Sequence, residues 1–279
     1  MSAEIHLRQA LSTARAAHRR SADLAHALQA GLLPNELRTV PGLEAAASYL
    51  PASRPDRADI EVGGDFYDLF RTHGDNWAAV MGDVCGKGVR AAQLSAMARY
   101  TIRADATDPR SPGGLLKRLH DAMTAQHADR YLTCVYAAFH LTPHGAAGTL
   151  ALGGHPPALI RRADGSVEQL GEPGTVLGVL PEPDVRLTDV PFALAPGDLL
   201  LLYTDGAIEA RPRPGTDPQQ AGAVFGAADL VRALVDTHGL GAAATVKQLA
   251  AVLDAWHGGW SSDDTALLVL RTDPGGPAR

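Results

Sequence analysis

The sequence predicts an α+β protein in which antiparallel sheets are covered by helices. Short β-like runs follow one another across tight turns such as Asp164-Gly165, the pattern of hairpins. Helical patterns come in pairs between groups of strands, whereas a doubly wound parallel sheet needs a single helix between every two strands.

Residues 3–33 read as one long helix, rich in Ala, Leu, Arg and Gln and stopped by Pro34. Leu7, Leu11, Ala14, His18, Ser21, Ala25, Leu28 and Leu32 fall at alternating steps of four and three, a heptad seam that His18 and Ser21 weaken. The pattern suits a coiled-coil linker over residues 1–34 that meets a second copy or a regulatory partner. It suits equally an amphipathic helix lying on its own domain. From Leu43 the texture changes to short strands, expected at 44–49, 66–71, 77–81, 132–140, 149–152, 158–161, 185–190, 199–203 and 266–270. Helices are expected at 89–104 with 114–128, and at 227–238 with 242–256. Residues 211–222 form an exposed loop rich in Pro and Gln, and 273–279 a disordered tail, leaving one domain over 40–272.

A chain of 279 residues, 46% hydrophobic and 20% charged, can bury a substantial core without disulfide or metal staples. Its formal net charge of −6 argues against a general nucleic-acid or membrane-surface binder. Cys85 and Cys134 are too few for a disulfide framework and point to a reducing compartment. The N-terminus has no apolar signal run, and the apolar stretch at 199–203 is bounded by Asp198 and Asp205, far short of a membrane span. A cytoplasmic protein is expected.

The stretch Gly82-Asp83-Val84-Cys85-Gly86-Lys87-Gly88 imitates a nucleotide-binding loop, but its glycine spacing is one residue short and Gly88 stands where a hydroxyl should bind magnesium. The glycines suit a tight strand-to-helix corner with Asp83 at the strand end. Asp65 follows Gly63-Gly64, Asp205 ends the most hydrophobic strand, and Asp263-Asp264 precede the last one. Bare carboxylates beside apolar strands are costly unless a cation balances them. Four converging carboxylates would match two divalent cations, and an all-oxygen donor set selects Mg²⁺ or Mn²⁺ over zinc. Two such ions activate water for phosphoester hydrolysis.

These segments together resemble the SpoIIE-type branch of the PPM phosphatases, metal-dependent protein serine/threonine phosphatases. The matching stretches are EVGGDFYD (61–68), GDVCGKGVRAAQLSAMAR (82–99), LTCVYAAF (132–139), LGGHPPALI (152–160), PGDLLLLYTDGAIEA (196–210) and DDTALLVLR (263–271). The resemblance implies a four-layer α/β/β/α sandwich with two metals at one end. It implies as ligands Asp65, Asp83, Asp205 and Asp263 with the Val84 carbonyl, and Asp264 as a residue that orients that corner or holds a metal-bound water. It further implies a phosphorylated substrate of the STAS-type anti-sigma-factor antagonist class, in a partner-switching circuit.

Two positions depart from the pattern. Cys85 stands where eukaryotic relatives carry a histidine proposed to protonate the leaving oxygen, and Ala266 where the family often has Thr, a change expected to alter hydrogen bonding and not metal binding. His155 reads as a turn residue whose ring bonds backbone, Met81, Met97 and Met123 as packing, and Trp256 and Trp260 as packing around the last helix. Cys85 has no His–Asp partnership beside it that would make it a nucleophile. Lys87 and Arg90 either hold a phosphoprotein near the metals or are solvated helix-start residues. The expected activity is hydrolysis of phosphoserine or phosphothreonine. The competing readings are an inactive phosphatase-fold scaffold, against which the intact aspartates speak, and a two-metal nuclease, which lacks a basic track.

Overall fold

The computed structural model describes residues 33–34, 36–52, 63–106, 111–126, 130–181, 184–212 and 223–274. The helix expected over 3–33 with its heptad seam, most of the 211–222 loop and residues 275–279 lie outside the described residues.

Among the described residues, ten strands form two antiparallel five-stranded sheets. One contains β1 (Leu43–Leu50), β10 (Thr265–Thr272), β9 (Leu199–Tyr203), β6 (Ala158–Arg161) and β7 (Val167–Leu170), in that spatial order. The other contains β2 (Phe66–Arg71), β3 (Asn76–Val84), β4 (Leu132–Thr142), β5 (Gly145–Gly153) and β8 (Val190–Leu194). Helices α1 (Val89–Asp105) and α2 (Pro112–Ala125) cover the second sheet, and α3 (Ala227–Val235) and α4 (Ala242–His257) the first.

Strand alternation builds the four layers. In β3, Trp77, Ala79 and Met81 enter the core between the sheets, while Ala78 and Val80 face α1 and α2. In β9, Leu200 and Leu202 point inward between the sheets and Leu199, Leu201 and Tyr203 face α3 and α4. Burial on both faces is the reason these strands read as unbroken apolar runs.

The structure corrects the sequence reading at several boundaries. The strand expected at 185–190 starts only at Val190 and runs to Leu194, with Phe192 and Leu194 in the inter-sheet core. Pro191 is tolerated because β8 is an edge strand. The residues before it have other partners: Arg186 O accepts from Thr175 N at 2.9 Å, and Asp189 Oδ1 accepts from Gly113 N at 2.6 Å. Helix α2 begins two residues before the expected position, because Pro112 occupies its first turn and Ser111 Oγ caps Gly114 N at 3.2 Å. Helix α3 stops at Val235 and continues as turns. The edge strand β7 escaped the sequence reading because only Val167 and Leu170 are even half-buried. The β6–β7 hairpin turns at Asp164-Gly165 as expected, with Gly165 at φ +91° and Asp164 Oδ1 accepting from Ser166 N.

Two buried charges fasten the helices. Arg161 donates to Thr237 O at 2.6 Å and Leu240 O at 3.0 Å, in the turns following α3. Carbonyl and hydroxyl oxygens, and no carboxylate among the described residues, accept from this guanidinium. Asp68, 1% exposed, receives Arg99 Nε at 2.8 Å and Arg103 Nε at 2.7 Å from α1. Burial pushes the Asp68 carboxyl up, and the bonds from Arg103 and Arg99 outweigh it, leaving it below the usual carboxylate range. Among the described residues no helix is long and apolar enough to cross a membrane.

Asp68→Asn should therefore destabilise the fold by about 3 kcal/mol, because it leaves two partly buried guanidiniums without their counter-charge. For a domain of this size that is a drop of about 6–12 °C in melting temperature. A depressed folded-state pKa means the native contribution is present above the unfolded value and is lost as pH falls through the folded one. Thermal melts of wild type and variant should thus converge on strong acidification, and a neutral-pH difference within error would refute the clamp.

Candidate metal centre

The sheet registers bring the predicted aspartates to one end of the sandwich. Phe66 pairs with Gly82, so the next step outward sets Asp65 opposite Asp83. Leu267 pairs with Tyr203, and the same ladder extended sets Thr265 and Asp264 against Asp205 and Gly206. A Cβ on Gly206 would lie 2.0 Å from Asp264 O, which shows how tightly this corner closes. A Cβ on Gly64 would lie 2.2 Å from Val84 O and 3.0 Å from Asp83 Oδ1. Only glycine at 64 lets the β2 backbone approach the Val84 carbonyl and present Asp65 to Asp83.

Exposure grades across the cluster. Asp65 and Asp264 are buried at 3% and 4%, Asp83 and Asp205 are half-buried, and Asp263 is exposed. Thr204 Oγ1 donates to Asp65 Oδ2 at 2.8 Å and accepts from Ala266 N at 2.9 Å. One hydroxyl therefore ties β2 of one sheet to β9 and β10 of the other at the cluster's base. The Ala266 position bears on local hydrogen bonding through its backbone amide, which fixes that hydroxyl. Asp264 Oδ1 accepts from Ala52 N at 2.8 Å, and Tyr49 also bonds its carboxyl. Asp263 Oδ1 accepts from Asp264 N at 3.0 Å, and Lys87 Nζ lies 3.3 Å from it while donating to Ser262 O at 2.9 Å.

Burial is the first cause of every raised carboxyl here. It pushes Asp65 well up, with the charges of Asp83 and Asp264 adding to it. Burial and then the Asp205 charge push Asp83 up to about 7, and Asp65 and Asp83 hydrogen-bond to each other. Burial followed by Asp263 raises Asp205, and burial raises Asp264. Without cations, Asp65, Asp83, Asp205 and Asp264 therefore hold protons more readily than free carboxyls do.

Five carboxylates against the Lys87 ammonium leave a formal −4, the charge of two divalent cations. All donors are oxygens, the Val84 carbonyl included, which suits Mg²⁺ or Mn²⁺. The residues fit such ions in donor type and in charge. Among the described residues no three His, Cys, Asp or Glu side chains are already closed into a ligand shell. The bonds from Ala52 and Tyr49 occupy the Asp264 carboxyl, which makes it a support of this corner more than a free ligand.

Other tempting residues resolve differently. His155 is 1% exposed, with Nδ1 2.9 Å from Thr133 Oγ1; burial lowers it to about 3, so its ring is neutral. It bonds a side-chain hydroxyl, and not backbone alone as the sequence suggested. Lys87 braces the Asp263 corner instead of pointing freely to solvent. Trp256 packs edge-on to Phe225 and donates to Ala210 O at 3.2 Å. Thr204 was missed in the sequence, though a hydroxyl closing an all-apolar strand immediately before Asp205 was its signal. Beside Asp205 and Asp263 a cavity of about 90 Å³ is lined by Glu209, Arg211, His257, Ser261 and Ser262. A larger apolar hollow of about 380 Å³, between Asn76, Phe139, His140 and Phe192, lies at the opposite end of β3 and β4.

The sequence profile of the stage II sporulation protein E (SpoIIE) family matches residues 73–273, which include every proposed ligand except Asp65. Protein IcfG of Synechocystis sp. is 26% identical over 213 residues, 63% of this chain and 33% of IcfG. The phosphoserine phosphatase RsbU of Bacillus subtilis is 26% identical over 195 residues, 69% of this chain and 55% of RsbU. The chain thus spans a third and about half of these two relatives. The solved RsbU and RsbW domains of Rv1364c from Mycobacterium tuberculosis superpose with a TM-score of 0.63 at 27% identity, covering 88% of this chain and 63% of that one. The two-sheet, four-layer architecture is shared.

Protons and cations compete for the same carboxylates, and this sets the expected response to metal. Groups with raised folded-state pKa values stabilise the metal-free protein at low pH and lose that contribution as pH rises through about 7. Added Mn²⁺ or Mg²⁺ should raise the melting temperature of the full chain, and raise it more at pH 8 than at pH 6. Melts with and without chelator at both pH values check this; an equal shift at both, or none, would dissociate the carboxylates from metal binding.

Proposed function

The chain belongs to the SpoIIE family, and from that membership and its carboxylate cluster we propose that it is a metal-dependent protein serine/threonine phosphatase. The observation that carries the reading is the meeting of Asp65, Asp83, Asp205 and Asp263 from four strand ends, with Thr204 bonding the deepest of them across the sheets. Asp65, Asp83, Asp205, Asp263 and the Val84 carbonyl would hold two Mg²⁺ or Mn²⁺ ions. When bound, such ions supply positive charge that favours ionisation of water and offsets charge on the phosphoryl oxygens.

The protein's own groups divide the remaining work. Thr204 holds Asp65 in one orientation, with its hydroxyl proton directed by the bond it accepts from Ala266. Asp264, bonded by Ala52 and Tyr49, and Lys87, bonded to Ser262, hold the loop that carries Asp263. Burial at Asp65 and exposure at Asp263 grade the site from a dry base to an open rim. A phosphoserine on a folded protein reaches an open rim without entering a deep pocket. That favours a protein substrate, and the similarity to a phosphoserine phosphatase favours phosphoserine.

The relative whose structure joins RsbU and RsbW domains in one protein supports a partner-switching setting. We assign the substrate to the STAS-type anti-sigma-factor antagonists on that basis and on the family resemblance.

Asp83→Asn and Asp205→Asn should each lower turnover of an aryl phosphate by at least about 100-fold while leaving the fold intact, since each removes part of the charge that holds a cation whose effect is worth several kcal/mol. Wild type should be active with Mn²⁺ or Mg²⁺ and silent with chelator. Full activity of both variants at low metal would overturn the metal-centred reading.

A further inference from the structure

The ladder between β3 and β4 does not end at the carboxylates. Asp83 pairs with Thr133, and two residues outward, past the Val84–Leu132 pair, Cys85 N donates to Tyr131 O at 2.9 Å. Alternation therefore places three successive pairs on the face between the sheets: Met81 with Val135, Asp83 with Thr133, and outermost Cys85 with Tyr131. Met81 and Val135 are buried in the core, whereas Tyr131 is 46% exposed. Its hydroxyl hydrogen-bonds with Cys85, and its phenol lies within the fields of Asp83 and Asp205. On its other side the bridge between Leu132 and Leu177 sets Gly178, which has no side chain, opposite Tyr131. An aromatic hydroxyl on a partly exposed residue thus stands at the mouth of the cluster.

We infer that the Tyr131 hydroxyl donates a hydrogen bond to the seryl oxygen that leaves phosphorus, making Tyr131 a substrate-contacting residue that favours poor leaving groups. The inference rests on the phosphatase reading. In an in-line displacement the attacking and leaving oxygens lie on opposite sides of phosphorus. The attacking side belongs to the carboxylates at the base, so the leaving side faces the mouth, where the substrate protein must be and where Tyr131 stands. The water oxygen bonds to phosphorus as the phosphorus–Oγ bond breaks, and the water gives up one proton to solvent. The electron pair stays on Oγ, which then takes a proton from solvent, while Tyr131 keeps its own proton. Other donors nearby are engaged or remote from the mouth: Lys87 with Ser262 and Asp263, Arg130 with Cys85 O at 2.6 Å, and His155 buried beside Thr133. The bond to Cys85 is the first cause raising the Tyr131 phenol, and the hydroxyl that donates to Cys85 in the free protein would turn to the seryl oxygen when the substrate arrives.

The test compares wild type and Tyr131→Phe as full chains with Mn²⁺, on p-nitrophenyl phosphate and on a phosphoserine peptide. Nitrophenolate leaves without help, and a seryl alkoxide does not. The variant should keep its aryl phosphate kcat within about twofold and lose about 100-fold in kcat on the phosphoserine peptide, the usual effect of removing one donor to a developing oxyanion. Its melting temperature and metal-induced shift should match wild type. Equal losses on both substrates, or undiminished turnover of phosphoserine, would overturn the assignment. Wild type inactive on both would overturn the phosphatase reading itself, and this proposal with it.

Discussion

Everything at the active end of this protein follows from holding five carboxylates close together at the edge of an apolar sandwich. An isolated buried carboxylate is expensive, and neighbours of the same sign make it more so. Asp65, 3% exposed and facing both Asp83 and Asp264, is the extreme case. Such a cluster is compatible with a folded chain only if protons or cations neutralise it. The single hydroxyl of Thr204 bonds Asp65 at the base, and one neutral donor is not enough. The proposed binding of cations would therefore be the other side of the cluster's instability.

The rest of the fold tolerates that instability because its stability is located elsewhere. Three apolar layers, one between the sheets and one under each helix pair, make up the bulk of the buried residues. Among the described residues, buried charges away from the site have partners: Asp68 two arginines, Asp198 the guanidinium of Arg162, and Arg161 carbonyls and hydroxyls in and beyond the turns after α3. Asp68 is held below the usual carboxylate range by two arginines, whereas Asp65 three residues earlier is held well above it by burial and like charge, so only the second lacks a protein counter-charge.

The position of the site at strand ends also sets its shape. Strands supply rigid, register-fixed positions, while the loops beyond them leave the rim open. Exposure rises from Asp65 through Asp83 to Asp263, and Tyr131 continues that gradient two residues past the Asp83–Thr133 pair. A rim of this kind suits chemistry on a group displayed by a large folded partner.

Much of this was legible in the sequence because it is local. Alternation and apolar runs marked most strands within a residue or two. Asp65, Asp83, Asp205 and Asp263-Asp264 stood out because a carboxylate at the end of an apolar strand is costly to keep there unless a cation meets it. The errors were local ambiguities: residues 185–190 look like a strand, but the distant β5 pairs with 190–194, and the helix expected from 114 starts at Pro112 because the neighbouring Ser111 caps it. What no local pattern contains is register. The pairing of Phe66 with Gly82 and of Leu267 with Tyr203 decided which carboxylates face each other, that Thr204 reaches Asp65 across the sheets, that Lys87 braces Asp263, and that Tyr131 stands over the mouth. The sequence by itself determined which residues had to be buried and which charges needed neutralising, since those depend on the chemistry of each side chain. Only the tertiary structure decided who neutralises whom, because that depends on distances between residues as far apart in the chain as Asp65 and Thr204, 139 positions from each other.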